Sequence, residues 1–416
     1  NPDLSNLRTI MIGVKNPRAS NNRFSDVDDG LPKCGEVWVN ELRLTDFDQT
    51  GGWAANARMK AKLADFAQLD LVGHRNTIGF GGIEQNLLER SQEDERGIDF
   101  RSSFALDKFF PQKAGVKLPM YYDYSQKNIR PRFNPLQPDV LLDATLSSLA
   151  DDSRRGLLEK VEEVEIRRSL NFVNVSKSRT NLKSKPMPWD ISNFTGTYKF
   201  TETIKRDIFT TYDSTRTYTG ILGYSYNFKQ KPVQPFKKLG KYRSLKLLSD
   251  FNFNYVPTSF SFQGQLNRMY NTVLFRNNDN IESIVPPNFN KTFQFNRNYN
   301  FRYNLTKGLK LNYTANAQSI IDEPQGAIST EIKRDSVLSN LYSLGRPQQF
   351  NQSINVNYKI PIDKLPLMDF VNASADYKGG FGWQAAPPVA DSLGNSITNS
   401  AAYSLNTQFN FVQLYN

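Results

Sequence analysis

From Phe293 to Leu305 the chain reads FQFNRNYNFRYNL, and that run fits one backbone. Phe293, Phe295, Tyr299, Phe301, Tyr303 and Leu305 recur at a period of two. Gln294, Asn296, Asn298, Asn300, Arg302 and Asn304 fill the alternate positions. An α-helix would scatter those aromatics around its circumference, whereas a strand collects them on one face. The alternation returns in Leu309, Leu311, Tyr313 and Ala315 against Lys310, Asn312, Thr314 and Asn316. It returns again in Ile354, Val356, Tyr358 and Ile360 against Ser353, Asn355, Asn357 and Lys359. FNFNY sets Phe251, Phe253 and Tyr255 opposite Asn252 and Asn254. Tyr224, Tyr226 and Phe228 repeat the pattern more briefly, as do Leu405, Phe409 and Phe411, which Thr407 interrupts.

These segments run about ten residues, the length of an outer-membrane β-strand, and end in turn chemistry such as Lys307-Gly308 or Pro361. Soluble antiparallel sandwiches alternate as well, but their strands have a mode of ~5–6 residues. Asn dominates the polar face and is depleted in ordinary strands, yet its amide suits the wet wall of a closed sheet. The expected fold is therefore all-β: an antiparallel transmembrane β-barrel. Its lipid-facing candidates are Phe251, Phe253, Tyr255, Phe293, Phe295, Tyr299, Phe301, Tyr303, Tyr313, Val356, Tyr358, Phe409 and Phe411. Its lumen-facing candidates are Asn252, Asn254, Asn296, Asn298, Asn300, Arg302, Asn304, Asn312, Asn355 and Asn357. Arg297 breaks the apolar phase, and an outward Arg at the bilayer midplane costs ~2–4 kcal/mol. It is expected at an interface, against a protein partner, or at a bulge that shifts register. Gln352 poses a milder version of the same question.

Composition agrees with a wall rather than a core. Hydrophobic residues make up 38% of the 416, short of the ~45–50% apolar share of globular domains. Yet 35 of the 48 Phe and Tyr residues lie within 194–416. That aromatic load excludes disorder, no apolar run of ~18 residues allows a helical membrane bundle, and one cysteine excludes a disulfide scaffold.

No chemistry-bearing constellation emerges. Cys34 is expected as a small buried thiol and His74 as a surface or strand-end residue. GFGGIEQ is only a near miss to a phosphate loop, and Asp26, Asp28, Asp29 and Gly30 read as an acidic turn rather than a calcium loop. The expectation is no catalysis, no cofactor and no metal. Net charge is +11, but Lys and Arg are spread along the chain rather than gathered into one patch. That distribution suits anionic lipid heads or a cationic wall and argues against nucleic acid.

Residues 1–50, with GEVWVNELRLTDFD at 35–48, read as the end of a soluble β-domain. Residues 51–124 read as barrel strands, from Trp53, Ala55, Ala57, Met59, Ala61 and Leu63 to Ile98, Phe100, Ser102, Phe104 and Leu106. The acidic cluster Glu89 to Glu95 between them reads as a solvated loop. Residues 125–190 read as a helical and loop insert. One helix starts after Pro138 with Asp139 as cap, and DDSRRGLLEKVEEVEIRRSL forms a second on the stripe Leu157, Val161, Val164. Residues 176–186 form a basic loop, and 191–416 return to barrel strands. Outside the insert, 51–416 has room for about fifteen to twenty strands. The chain opens Asn1-Pro2-Asp3 without Met or signal peptide, so it is expected to be an excerpt of something longer.

Several stretches resemble a known family: LRTIMIGVKNPR (7–18), DDGLPKCGEVWVNELRLTDFDQTGGWAA (28–55), GVKLPMYYDYSQKNIRPRFNPLQPD (115–139), LNFVNVSK (170–177) and PWDISNFTGTYKFTE (188–202). They are similar to the SprA/Sov family, outer-membrane translocons of the type IX secretion system, over about residues 1–260. The resemblance implies a multi-pass protein of a Gram-negative outer membrane, of which this chain is one arc of a very large single-chain barrel. It implies export of folded cargo proteins bearing C-terminal signals, and support of gliding motility. It also implies partners: the small outer-membrane barrel PorV, a periplasmic plug protein and periplasmic chaperone-like factors. The alternatives are a smaller self-contained pore or importer, and a secreted β-rich adhesin.

Overall fold

Alternating sequence becomes long antiparallel strands. The computed structural model describes residues 11–13, 34–39, 51–85, 89–180, 183–241, 245–277, 285–365, 368–387 and 391–412. Within them β1 (Ala54–Leu63), β2 (Ala67–Asn76), β3 (Glu93–Ala105), β4 (Val116–Lys117) and β5 (Pro119–Pro131) come first. A short hairpin, β6 (Phe133–Asn134) and β7 (Gln137–Leu141), leads to helices α1 (Leu142–Ser147) and α2 (Asp151–Val161). Next come β8 (Glu163–Lys177), β9 (Phe194–Arg206), β10 (Thr210–Asn227), the single-turn α3 (Lys246–Ser249) and β11 (Ser259–Phe275). The chain continues with β12 (Asn288–Asn304), β13 (Leu309–Ile320), α4 (Glu331–Tyr342), β14 (Arg346–Ile360), β15 (Val371–Gln384) and β16 (Ser396–Phe409). Fourteen strands form one sheet in the order β1-β2-β3-β5-β8-β9-β10-β11-β12-β13-β14-β15-β16, with β4 beside β8. Among the described residues the sheet is open: β1 and β16 each have a neighbour on one side only. No helix among the described residues is long and apolar enough to cross a membrane, which says nothing against crossing by strands.

Contacts group the chain into two units. The first comprises the described parts of Asn1–Asn56, His74–Arg96 and Asn128–Glu162. Its small core is Leu142, Leu146 and Val161, with Leu157 and Leu158 against them. Arg75 pairs with Asp94 at 2.8 Å and lies 5.3 Å from the Trp53 ring centroid, while Arg96 reaches Glu162 at 2.9 Å. The second unit, Ala57–Gly73, Gly97–Lys127 and Glu163–Asn416, carries the rest of the sheet. Its register runs without a shift from β10 through β11 and β12 to β13, apart from one irregularity at Thr210/Tyr212. Tight turns close two of the hairpins. Asp207 Oδ1 accepts from the amides of Phe209 and Thr210, and Thr306 Oγ1 accepts from those of Gly308 and Leu309.

Five expectations change here. The helix expected to run to Leu170 stops at Val161, and Glu163 starts β8. Val164, Ile166 and Leu170 also alternate, and pairing with β9 decides between the two periods. The first helix starts at Leu142 rather than after Pro138; Asp139 lies in β7, whose proline a two-stranded edge tolerates. Glu93, Asp94 and Glu95 belong to β3 instead of a loop, where Asp94 and Glu95 face Arg75 and His74 across the pair. FNFNY is not a strand: Phe253 forms only an isolated bridge to Val233. Cys34 is exposed, in a stretch (34–39) without regular secondary structure where every residue is exposed, rather than a small buried thiol. The Asp26–Gly30 turn and most of the expected 35–48 strand lie outside the described residues.

Candidate functional site: the two faces of the sheet

Register converts the sequence alternation into two chemically opposite surfaces. Across the sheet, residues brought side by side form rows. One row links Phe194, Tyr224, Phe262, Tyr299, Ala315, Gln352 and Phe381. The next links Tyr226, Phe260, Phe301, Tyr313 and Ile354, and a third links Tyr303, Leu311, Val356, Tyr377 and Tyr403. Ring contacts tie neighbours together: Phe262–Tyr299 centroids are 5.1 Å apart and Tyr377–Tyr403 are 5.0 Å apart. Cross-strand aromatic pairs of this kind each add ~0.2–1 kcal/mol to a sheet. Phe293, Phe295 and Tyr358 lie on the same face, and so does Phe409 in β16. Phe411 lies just beyond β16 and stacks on Phe409.

The opposite surface is a wall of amides and hydroxyls. Asn296, Asn298, Asn300, Arg302 and Asn304 stand beside Gln318, Asn316, Thr314, Asn312 and Lys310. Asn355 and Asn357 continue it through β14. Side chains bond across strands: Asn316 donates to Asn298, Asn357 donates to Asp376, and the Thr314 and Ser353 hydroxyls meet at 2.7 Å. Ile221 and Met269 are apolar exceptions on this side.

Two expected residues take another role. Asn252 and Asn254 are buried under the β12–β13 turn rather than set in the wall. Asn252 Oδ1 accepts from the Lys307 amide at 2.8 Å, and Asn254 Nδ2 donates to the Asn304 carbonyl at 2.7 Å. Tyr303 then donates its hydroxyl to the Asn254 carbonyl at 2.7 Å. Phe251 and Tyr255 project outward beside them, so the five residues clasp one end of the sheet.

Arg297 lies amid the aromatic face, and no register shift occurs at its position in either pairing, so the bulge reading falls. Its guanidinium bends along the strand to donate to Ser319 Oγ at 2.7 Å and lies 5.1 Å from the Phe295 ring centroid. Gln352 is anchored by the Tyr313 hydroxyl at 2.8 Å. His74 lies near the end of β2 with its Nε2 3.3 Å from Glu95 Oε1.

A charged row that periodicity alone did not single out borders the aromatic face. Glu202, only 1% exposed, joins Arg168 and Arg216 on the strands either side, with Arg216 Nε at 2.7 Å. Arg268 forks onto Glu323 at 2.5 and 3.2 Å, and Lys291 donates to the carbonyls of Pro324 and Gly326. Outside the strands, Lys108 bonds Asp65 in the β1–β2 turn; this holds the Asp65 carboxyl below its usual range and raises the Lys108 ammonium. Among the described residues no three His, Cys, Asp or Glu side chains gather as metal ligands would.

The aromatic face is also oblique to the rows. In β9 the apolar run Phe194–Phe200 is centred near Gly196 and Tyr198 and stops at Glu202. The row through Gly196 reaches Leu222, Gly264, Arg297, Ala317, Phe350, Trp383 and Ile397. In β16, however, the run is centred on Tyr403, six residues past Ile397. A displacement of six to seven residues is ~20–24 Å along a strand, over seven strand spacings totalling ~34 Å. The band therefore crosses the rows at roughly 30–35°, close to the ~35–45° strand tilt of closed membrane sheets.

The fold is thus that of an amphipathic antiparallel β-protein, aromatic on one face and amide-rich on the other. Residues 1–146 match the family SprA_N, described as motility related/secretion protein. Residues 1–146 are thus SprA-related. The quoted stretches between 7 and 139 fall inside that match, and those at 170–177 and 188–202 lie beyond it. No curated protein matches the chain significantly.

Proposed function

We propose that this chain is a wall segment of a very large β-barrel in a Gram-negative outer membrane, through which folded cargo proteins with C-terminal signals are exported by type IX secretion. The observation that carries the reading is the oblique aromatic band backed by an amide wall. On β10 and β12 the band is ~27–34 Å long along the strand, giving ~22–28 Å of height at that obliquity, close to the ~25 Å apolar band of outer-membrane barrels. The amide wall then lines water. In a bilayer the free edges of β1 and β16 must be paired, because unpaired backbone groups are not tolerated there; the open sheet reads as an arc of a larger closed one. Barrel diameter grows with strand number, and only a wide lumen passes a folded protein. Passage requires no bond to break, so the reading assigns no catalysis, cofactor or nucleic acid. A motility- or secretion-related family supports the role, and gating falls to partners at the mouths: PorV, a plug protein and chaperone-like factors.

Heating the solubilised protein in detergent tests the wall. A heat-modifiable gel shift and detergent partitioning are expected; absence of both overturns the membrane claim in favour of an adhesin. Pull-down from solubilised membranes then separates translocon from simple pore. Recovery of a second small barrel or a periplasmic plug is expected, and a lone pore would defeat the translocon.

A further inference from the structure

We propose that the aromatic face carries a specific site for an anionic phospholipid, built from the charged row and a glycine-floored groove beside it. This rests on the membrane-wall reading above. Arg168 and Arg216 spend one side of each guanidinium on Glu202, yet their side chains remain 53% and 48% exposed. Their free N–H groups form the planar forks that recognise phosphate oxygens. Arg268 belongs to the adjoining row, and among the described residues the four cations Arg168, Arg216, Arg268 and Lys291 share two carboxylates, Glu202 and Glu323. That surplus of positive charge is complementary to a phosphate.

The second observation is apolar. A groove of about 530 Å³ opens on the same face, walled by Tyr198, Leu222, Phe262 and Phe295 and floored by Gly196 and Gly220. A Cβ at Gly196 or Gly220 would meet nothing within 4 Å, so packing does not demand glycine at either position; their absent side chains leave the trough open. Gly220 follows Arg216 by four residues on one strand, ~13 Å away. A headgroup phosphate on the arginines would thus direct an acyl chain into the groove. In the bilayer the chain leaves other acyl chains rather than water, so the groove contributes close van der Waals packing, and the charged end selects the headgroup.

The test is native mass spectrometry of the purified full-length protein with dimyristoyl phosphatidylglycerol or dimyristoyl phosphatidylcholine. The parent is expected to retain the anionic lipid at least tenfold better. The triple variant Arg168→Gln, Glu202→Gln, Arg216→Gln leaves no buried carboxylate unpaired and should lose that preference. Lys378→Gln removes the same net charge from the amide wall and should keep it. Gly220→Leu fills the trough and should lower retention of the anionic lipid severalfold. Equal retention of both lipids by the parent, or equal loss in Lys378→Gln, overturns the site while leaving the membrane wall standing. Retention of no lipid at all overturns both.

Discussion

Leu222 and Ile397 occupy the same row of the sheet, and both are more than half exposed, so position in the register does not distinguish them. The oblique band does. Leu222 is the midpoint of the apolar run Tyr218–Tyr226 in β10, which places it at the centre of the bilayer in the proposed wall. Ile397 is six residues from Tyr403, the midpoint in β16, or ~20 Å along the strand. At ~35° of tilt that is ~16 Å along the membrane normal, beyond the ~12–13 Å half-height of an outer-membrane apolar band. Full-length protein carrying Cys34→Ser and either Leu222→Cys or Ile397→Cys, reconstituted in vesicles, should therefore behave oppositely toward a membrane-impermeant maleimide. Ile397→Cys labels rapidly, and Leu222→Cys stays protected until the vesicles are dissolved. Arginine at the two positions should follow the same order, costing ~2–4 kcal/mol of folded stability at Leu222 and ~0–1 at Ile397. Equal labelling would refute the tilt, because a band parallel to the rows puts both residues at one depth.

Four further outcomes follow from local geometry. Gly345 ends the loop after α4 at φ 72°, and a Cβ there would lie 2.7 Å from the Ile320 carbonyl oxygen, so Gly345→Ala should destabilise by ~1–3 kcal/mol. Gly156 inside α2 has open space around it, and Gly156→Ala should stabilise its helix by ~0.5–1 kcal/mol; thermal melts followed by circular dichroism check both. Asn254→Ala leaves buried partners unsatisfied and should cost ~1–3 kcal/mol, whereas Asn298→Ala on the exposed wall should change the same melts by ~0.5 kcal/mol or less. The Asp65–Lys108 pair should be unaffected between about pH 5 and 9. Because the Asp65 pKa is lowered, its contribution is present above the unfolded carboxylate value and disappears as pH falls through the folded one. Because the Lys108 pKa is raised, its share is complete below the unfolded lysine value and disappears as pH rises through the folded one. Protection of the Phe66 amide, which donates to Leu63, should fall at both extremes when hydrogen exchange is referred to the intrinsic rate at each pH, and Asp65→Asn should remove the acid limb.

What the sequence reveals here is a face, and what it conceals is a partner. FQFNRNYNFRYNL and FNFNY alternate equally well, and both sort aromatic from amide side chains. The first becomes β12 because it pairs with β11 over 288–302 and with β13 over 294–304. The second has five residues between the α3 turn and Pro257, and its backbone bonds go to Val233 and Leu305 instead. Its asparagines consequently cap a turn, a role that period-two arithmetic does not contain. VEEVEIRRSL shows the same gap from the helical side, since Leu157, Val161 and Val164 satisfy a 3.6 period while Val164, Ile166 and Leu170 satisfy a period of two. Only the cross-strand neighbours of Ile166 and Leu170, Ile204 and Phe200, choose between them. The obliquity of the band lies deeper still, because it exists in no strand singly and appears only when register joins β9 to β16. It also gives Arg297 a meaning. Close to the middle of the band, its charge turns along the strand to Ser319, toward the rim where Arg268 and Glu323 already meet. The residue that looked like an exception to the pattern uses the long side chain that lets a cation leave the apolar zone without breaking the strand.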